Sequence, residues 1–399
     1  MSVRVYGPGM SAPFPEGFVW GTATAAHQVE GGTWNNDWWA FEHTPGSGTV
    51  EPAGDACDHF WRYPDDIAML AELGFGAYRF SLEWSRIEPA EGEFSFAALD
   101  HYRRMCATTR EHGLLPVVTF HHFTTPRWAV TDGGWTDPAI VDRFARFCDH
   151  AVAHLGDEIG LACTINEPNI VSLMGFMVGA FPPGHHDLGE YAAANEHLKA
   201  AHRRGYDAIK AGPGDFPVGS CIAMGDWWAP EGSEAVLNRT REMHEGQHLA
   251  AAAGDDFIGV QAYSRTRLTA EGLPDGPEPG VNVLEMGYEY WPDALEVSIR
   301  YAAEITGSPV YVTENGIGTT DDAQRIRYVT DALGGVQRCL ADGIDVRGYF
   351  YWSLLDNFEW ALGYGPRFGL VSVDRKTQAR TPKPSAAWLG QIAAANALP

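Results

Sequence analysis

The feature that most restricts the fold is an alternation repeated along the chain. Eight short apolar runs, at residues 18–25, 77–81, 115–120, 161–165, 218–224, 257–263, 310–313 and 346–353, are separated by longer amphipathic stretches. Several runs are rich in Val, Ile, Tyr and Phe, as strands buried on both faces require. Stretches 64–73, 98–112, 138–155, 191–210, 234–253, 293–305 and 322–340 carry the periodicity of helices with one apolar face. Many end at a glycine (Gly74, Gly113, Gly156, Gly254, Gly343), which predicts left-handed C-caps. Strand–helix units in eightfold succession predict an α/β protein, a single (β/α)8 TIM barrel. No linker or composition shift divides the 399 residues, and the 45% hydrophobic share suffices for one large core. Residues 1–12 read as a loosely ordered leader and 13–399 as the catalytic barrel. The Gly/Pro-rich stretch 271–280 reads as a loop after the sixth strand.

Barrel enzymes place their chemistry at the C-terminal ends of the strands. The fourth run ends in Asn166-Glu167-Pro168 and the seventh in Thr313-Glu314-Asn315-Gly316. Pro168 stops a strand and Gly316 permits a sharp turn, so both glutamates are expected where strand passes into loop. Strands four and seven lie on roughly opposite sides of an eight-stranded barrel, so the two carboxylates can face each other. Glycoside hydrolysis needs such a pair: one carboxyl protonates the leaving oxygen and the other deals with the anomeric carbon. Taken singly, each glutamate is explained equally well by a structural ion pair with an arginine.

Other strand ends bring polar and aromatic groups: His27-Gln28-Val29-Glu30-Gly31, Tyr78-Arg79-Phe80-Ser81, His121-His122, Gln261-Ala262-Tyr263, and Tyr351-Trp352-Ser353 followed by Asp356-Asn357-Phe358-Glu359-Trp360. Amides, an imidazole, carboxylates and indoles on one pocket suit a polyhydroxylated ring, although each alone is better read as structural. The 14 tryptophans fit sugar platforms and an aromatic core alike.

The 28 Lys and Arg stand against 52 Asp and Glu, a formal charge of −24. That balance repels phosphate backbones and anionic lipid, and argues against nucleic-acid or membrane partners. No run approaches the ~20 apolar residues of a membrane span. No basic segment followed by an apolar run opens the chain, so a cytoplasmic location is expected. The six scattered cysteines read as buried thiols. The pairs His121-His122 and His185-His186 lack the spacing of a metal site, and neither metal nor organic cofactor is expected. Oligomeric state is not expressed in the sequence.

These motifs, taken in order, resemble glycoside hydrolase family 1, the β-glucosidase family. The likeness runs from Phe14-Pro15-Glu16-Gly17-Phe18 to Pro382-Lys383-Pro384-Ser385 and includes Gly363-Tyr364 and Arg367-Phe368-Gly369. It implies a retaining, exo-acting β-glycosidase with Glu167 as acid/base and Glu314 as nucleophile. It implies that Gln28, His122, Asn166, Glu359 and Trp360 bind glycone hydroxyls, Asn166 facing the 2-hydroxyl. Trp352 resembles the platform beneath the sugar, and Phe368 a residue near the 6-hydroxymethyl group. Arg79 and Tyr263 match groups that hold the nucleophile ionised by lowering its pKa. Glu359 is the residue that phosphosugar-specific relatives lack. Implied substrates are small β-glycosides or short oligosaccharides, with glucose as glycone and galactose or fucose besides. Three departures stand out: Gln261 where the family has Asn, which shifts the contact near the sugar; Thr124-Thr125 where it often has Asp-Leu; and a shorter chain. Competing readings are a transglycosylase on the same site, a non-catalytic sugar-binding barrel and a metal-assisted hydrolase.

Overall fold

The computed structural model describes residues 13–399; the leader expected at 1–12 lies outside the described residues. Eight parallel strands close into a barrel in sequence order: β1 (Val19–Ala23), β2 (Ala77–Ser81), β3 (Leu115–His121), β4 (Leu161–Asn166), β5 (Val218–Trp228), β6 (Phe257–Arg267), β7 (Val310–Asn315) and β8 (Val346–Trp352). β8 pairs with β1 from Val19↔Gly348 to Ala23↔Trp352, which completes the ring. β2, β3, β4 and β7 are almost wholly buried because helices cover the outer face and side chains fill the inside. An interior cluster of Ala77, Val117, Leu161, Cys163, Cys221, Phe257, Tyr311 and Phe350 packs the barrel below the site. All six cysteines are free and buried.

Long helices return the chain between strands: His59–Glu72, Phe96–Glu111, Ala139–Leu155, Leu188–Ala211, Ala294–Thr306 and Asp322–Ala341. A short antiparallel pair, β9 (Val371–Val373) with β10 (Arg380–Pro382), precedes the last helix, Pro384–Ala395. Asn396 then ties that helix to the segment before β1, donating to Phe14 O at 2.9 Å and accepting from Trp20 Nε1 at 2.9 Å.

Four expectations require correction. The helix expected from Pro64 begins a turn earlier, at His59, with Pro64 inside it; proline favours a first turn, but one lost backbone bond is tolerable when the buried face of Ile67 and Leu70 holds the helix. Gly74, Gly113, Gly254 and Gly343 do have positive φ, but Gly156 is right-handed at φ −55° and continues into a 3-10 turn. A Cβ at Gly156 would lie 2.1 Å from Pro213 O, so close backbone approach explains that glycine. The stretch 234–253 is helical to Ala251 but not α-helical throughout: a π turn at Glu242–Gly246 interrupts it between Glu234–Arg241 and Gln247–Ala251. Finally, β5 and β6 run past their apolar cores and stay paired to Trp228↔Arg267, so a half-buried ribbon rises over the rim before the 271–280 loop.

Candidate active site

Local sequence displays the two glutamates at strand ends. β4 stops because Pro168 cannot donate to the ladder; it takes the first position of a short helix, Pro168–Ser172. Between strand and helix, Glu167 adopts a left-handed backbone, φ 46° and ψ 58°, uncommon for a residue with a Cβ. Its N–H is anchored on Cys221 O at 2.8 Å. β7 carries Glu314 and Asn315 as strand residues. Gly316, read as permitting a sharp turn, does not have a positive φ. A Cβ there would lie 2.2 Å from Trp352 O, so its role is to let β7 approach the end of β8.

Both glutamates are buried, yet their surroundings differ. Arg79 Nη1 donates to Glu314 Oε1 at 2.6 Å, Tyr263 Oη donates to Oε2 at 2.5 Å, and Gln261 Nε2 donates to Oε1 at 3.0 Å. Arg79 also donates from Nη2 to Asn166 Oδ1 at 2.5 Å, from Nε to Thr119 Oγ1 at 3.1 Å and from Nη1 to Thr313 O at 3.3 Å. Asn166 accepts a further bond from Gln261 Nε2 at 2.8 Å and lies 3.1 Å through Nδ2 from His122 Nε2. Burial, with the Arg79 charge nearby, holds His122 well below the usual histidine range. It is therefore neutral, with Nε2 accepting from the Asn166 amide.

Electrostatics separate the roles of the pair. Burial pushes Glu167 well above the ordinary carboxylate range; the charge of Glu314 raises it further, Arg79 opposes and Glu359 adds. Glu314 was expected to be lowered by Arg79 and Tyr263. Those groups, with Gln261, do act downward, but burial outweighs them and the net direction is up. The Glu314 charge thus disfavours ionisation of Glu167. Because the strong donors converge on Glu314, the charge resides there and the proton on Glu167.

Beyond His122 the surroundings are aromatic and amide-rich. His122 stacks between Trp352 (5.8 Å, 22°) and Trp360 (6.2 Å, 17°), and Trp360 stacks in turn on His27 (5.8 Å, 8°). Gln28 Nε2 donates to Phe358 O at 2.7 Å, Asn357 Oδ1 at 3.3 Å and Glu359 Oε2 at 3.5 Å. Burial and the Glu314 charge push Glu359 up to about 8, against hydrogen bonds from Trp352 and Gln28. Phe368 meets Tyr263 edge-on at 5.9 Å, in a cluster with Ala23, Ala25 and Trp352. Gln28 Oε1, His122 Nδ1 and Gln261 Oε1 are buried without a partner, as groups reserved for a hydroxylated ligand would be.

The structure therefore gathers Gln28, Arg79, His122, Asn166, Glu167, Tyr263, Glu314, Trp352, Glu359, Trp360 and Phe368 into one constellation. His121 turns away, to Thr125 Oγ1 at 3.3 Å and the edge of Trp135. Thr124 and Thr125 stitch the β3 loop to its neighbours, Thr124 Oγ1 donating to Glu83 Oε2 at 3.0 Å. Sequence reasoning missed Thr119, whose hydroxyl accepts from Arg79 Nε, and the Thr313 carbonyl, which accepts from Nη1. It also flagged Gln261 only as a departure. In fact the longer amide, beside Glu314 in the β6–β7 register, bridges Glu314 and Asn166.

A model of glycosyl hydrolase family 1 matches residues 10–265 and 260–398. The chain belongs to glycosyl hydrolase family 1. A β-glucosidase A of Thermotoga maritima is 32% identical, the alignment spanning 96% of this chain and 98% of the relative. The crystal structure of a β-glycosidase called BGL167 superposes with a TM-score of 0.91 at 47% identity, over 97% of this chain and 99% of that one. The Thermotoga maritima β-glucosidase in complex with glucoimidazole superposes with a TM-score of 0.91 at 30% identity, over 97% of this chain and 100% of the other. Within this glycosyl hydrolase family 1 barrel, no helix of the described residues is long and apolar enough to cross a membrane.

Proposed function

We propose that the chain is a retaining, exo-acting β-glycosidase that prefers β-glucosides and also accepts β-galactosides and β-fucosides. One observation carries the reading: of two buried strand-end carboxylates, Glu314 is clamped by Arg79, Tyr263 and Gln261, while Glu167 is pushed up by burial and by the Glu314 charge.

In this reading Glu314 attacks the anomeric carbon as Glu167 gives its proton to the departing glycosidic oxygen. The bond to the aglycone breaks and a glycosyl ester of Glu314 forms. Esterification removes the charge that raised Glu167, so its pKa falls and the carboxylate left after proton donation stays ionised, available as base. It takes a proton from water, the water oxygen bonds to the anomeric carbon, and the ester bond releases Glu314 as carboxylate. Asn166, held by Arg79 and Gln261, is placed for the 2-hydroxyl; Gln28, His122 and Glu359 for hydroxyls on the far side; Trp352 and Trp360 for the apolar face. The glucose preference is supported by the β-glucosidase relatives.

The test is a panel of nitrophenyl β-glycosides, with the anomer released first followed by proton NMR. A β-sugar appearing first from the β-glucoside is expected. An α-sugar first would mean a single displacement and remove Glu314 as nucleophile.

A further inference from the structure

A second aromatic groove lies outside the catalytic pocket. Of the four exposed tryptophan and phenylalanine side chains among the described residues, two line it: Trp34 is 65% exposed and Trp61 74%. Trp34, Trp61 and the neighbours of Phe96, Ser95 and Ala97, line a depression of about 570 Å³, within the roughly 300–1,000 Å³ range of ligand sites. Apolar rings left in water on a soluble barrel are unfavourable unless something covers them.

The groove is held rigid. Trp34 lays one side of its ring on Gly32, where a Cβ would lie 3.3 Å away, so the other side stays open. Asn35 Nδ2 donates to Pro89 O at 3.0 Å and to Ser85 O at 3.3 Å, tying the loop after β1 to the loop after β2. Phe60 forms the floor between the His101 ring, stacked at 3.7 Å, and the Arg86 guanidinium at 4.3 Å. Arg86 is fixed by Glu30 Oε2 at 2.9 Å.

A second observation points to a ligand. His101 lines the groove, is 5% exposed, and its Nε2 has no hydrogen-bond partner. Burial, helped by the Arg104 and Arg86 charges, pushes it down to about 3, so the ring is neutral. A neutral imidazole supplies one donor and one acceptor, which suits hydroxyl groups. The exposed indoles of Trp34 and Trp61 offer faces to the C–H side of a pyranose, and His101, Ser95 and Arg104 in the same lining offer hydrogen-bonding groups to its hydroxyls. The segments that build it follow β1 and β2 or start the helices His59–Glu72 and Phe96–Glu111. All lie at the end of the barrel that carries Glu167 and Glu314.

We infer that this groove is a second carbohydrate site, binding a neutral β-linked gluco-oligosaccharide through Trp34, Trp61 and His101. It would hold a longer chain at the rim of the enzyme while a chain end is processed in the pocket. The site goes beyond the catalytic reading and does not require it.

The test uses cellotetraose and laminaritetraose, titrated calorimetrically into the full-length protein and its Trp34→Ala/Trp61→Ala variant. Each is measured before and after treatment with 2-deoxy-2-fluoro-β-glucosyl fluoride, which esterifies the nucleophile and fills the catalytic pocket. The treated parent protein is expected to keep saturable binding of at least one tetrasaccharide, and the treated variant to bind about tenfold more weakly or worse. Untreated, the variant should hydrolyse nitrophenyl β-glucoside with kcat/KM within about twofold of the parent, since neither ring belongs to the pocket. Absent binding in the treated parent, undiminished binding in the variant, or binding of tetragalacturonate in place of the neutral sugars overturns the inference. If the fluoride fails to inactivate, the catalytic reading falls, and the affinity difference between parent and variant still decides the groove.

Discussion

Arg79 and Glu314 form an ion pair at 2.6 Å in which the arginine side chain has no exposed surface. The guanidinium is the hinge of the site, since its other nitrogens hold Asn166 and Thr119, and the nitrogen that bonds Glu314 also donates to the Thr313 carbonyl. Removing one partner of a buried pair leaves the other charge uncompensated. Arg79→Ala should therefore lower stability by about 3–5 kcal/mol, read from urea unfolding. A loss below about 1 kcal/mol would mean that the pair is solvated and worth little.

Glu314→Ala should lower kcat by on the order of 10⁴-fold or more, because covalent catalysis has no substitute on this wall. Azide should restore part of the rate and yield a glycosyl azide, detectable by mass spectrometry. Undiminished activity would end the assignment.

Glu167→Ala should cost roughly 10²–10⁴-fold on substrates with poor leaving groups. Dinitrophenyl glycosides need little protonation and should suffer far less in their glycosylation step. Equal losses on alkyl and dinitrophenyl glycosides would count against an acid role.

Gln261 donates to the carboxylate of Glu314 and thereby pulls its pKa down. Gln261→Ala should raise it, moving the acid limb of kcat/KM to higher pH and lowering activity most on that side. An unmoved acid limb would show that Arg79 and Tyr263 alone control the nucleophile.

Glu359 sits at about 8 in the folded chain, against about 4.3 when unfolded. A raised pKa means that the folded state holds a proton the unfolded state releases. The stability this group contributes is full below the unfolded value and is lost as pH rises through about 8. Glu359→Gln removes that loss, so its gain in Tm over the parent should be larger at pH 8 than at pH 5, by calorimetry. A gain that does not change with pH would contradict the buried, raised carboxyl.

Much of the barrel was legible because a strand buried on both faces needs a continuous apolar run. The 77–81 run became β2 residue for residue. Legibility failed where non-local contacts overrode local preference. Pro64 marks a first turn, yet the packing of Ile67 and Leu70 keeps it inside a helix. β5 and β6 extend through Asp226 and Arg265 because each supplies the other's ladder partner. The 1–12 leader lies outside the described residues.

By itself the sequence determined which residues stand at strand ends, and so Glu167, Glu314 and most of their neighbours, because strand period and terminator residues are local properties. It also showed the family likeness that implied their roles. Only the tertiary structure decided that Gln261 bridges Glu314 and Asn166, since that depends on a register shift between β6 and β7. Only it decided that burial raises Glu314 despite three donors, because desolvation is set by everything packed around a charge. And only it brought Trp34, Trp61 and His101 to one groove, since loops and helix starts distant in sequence meet there when the barrel closes.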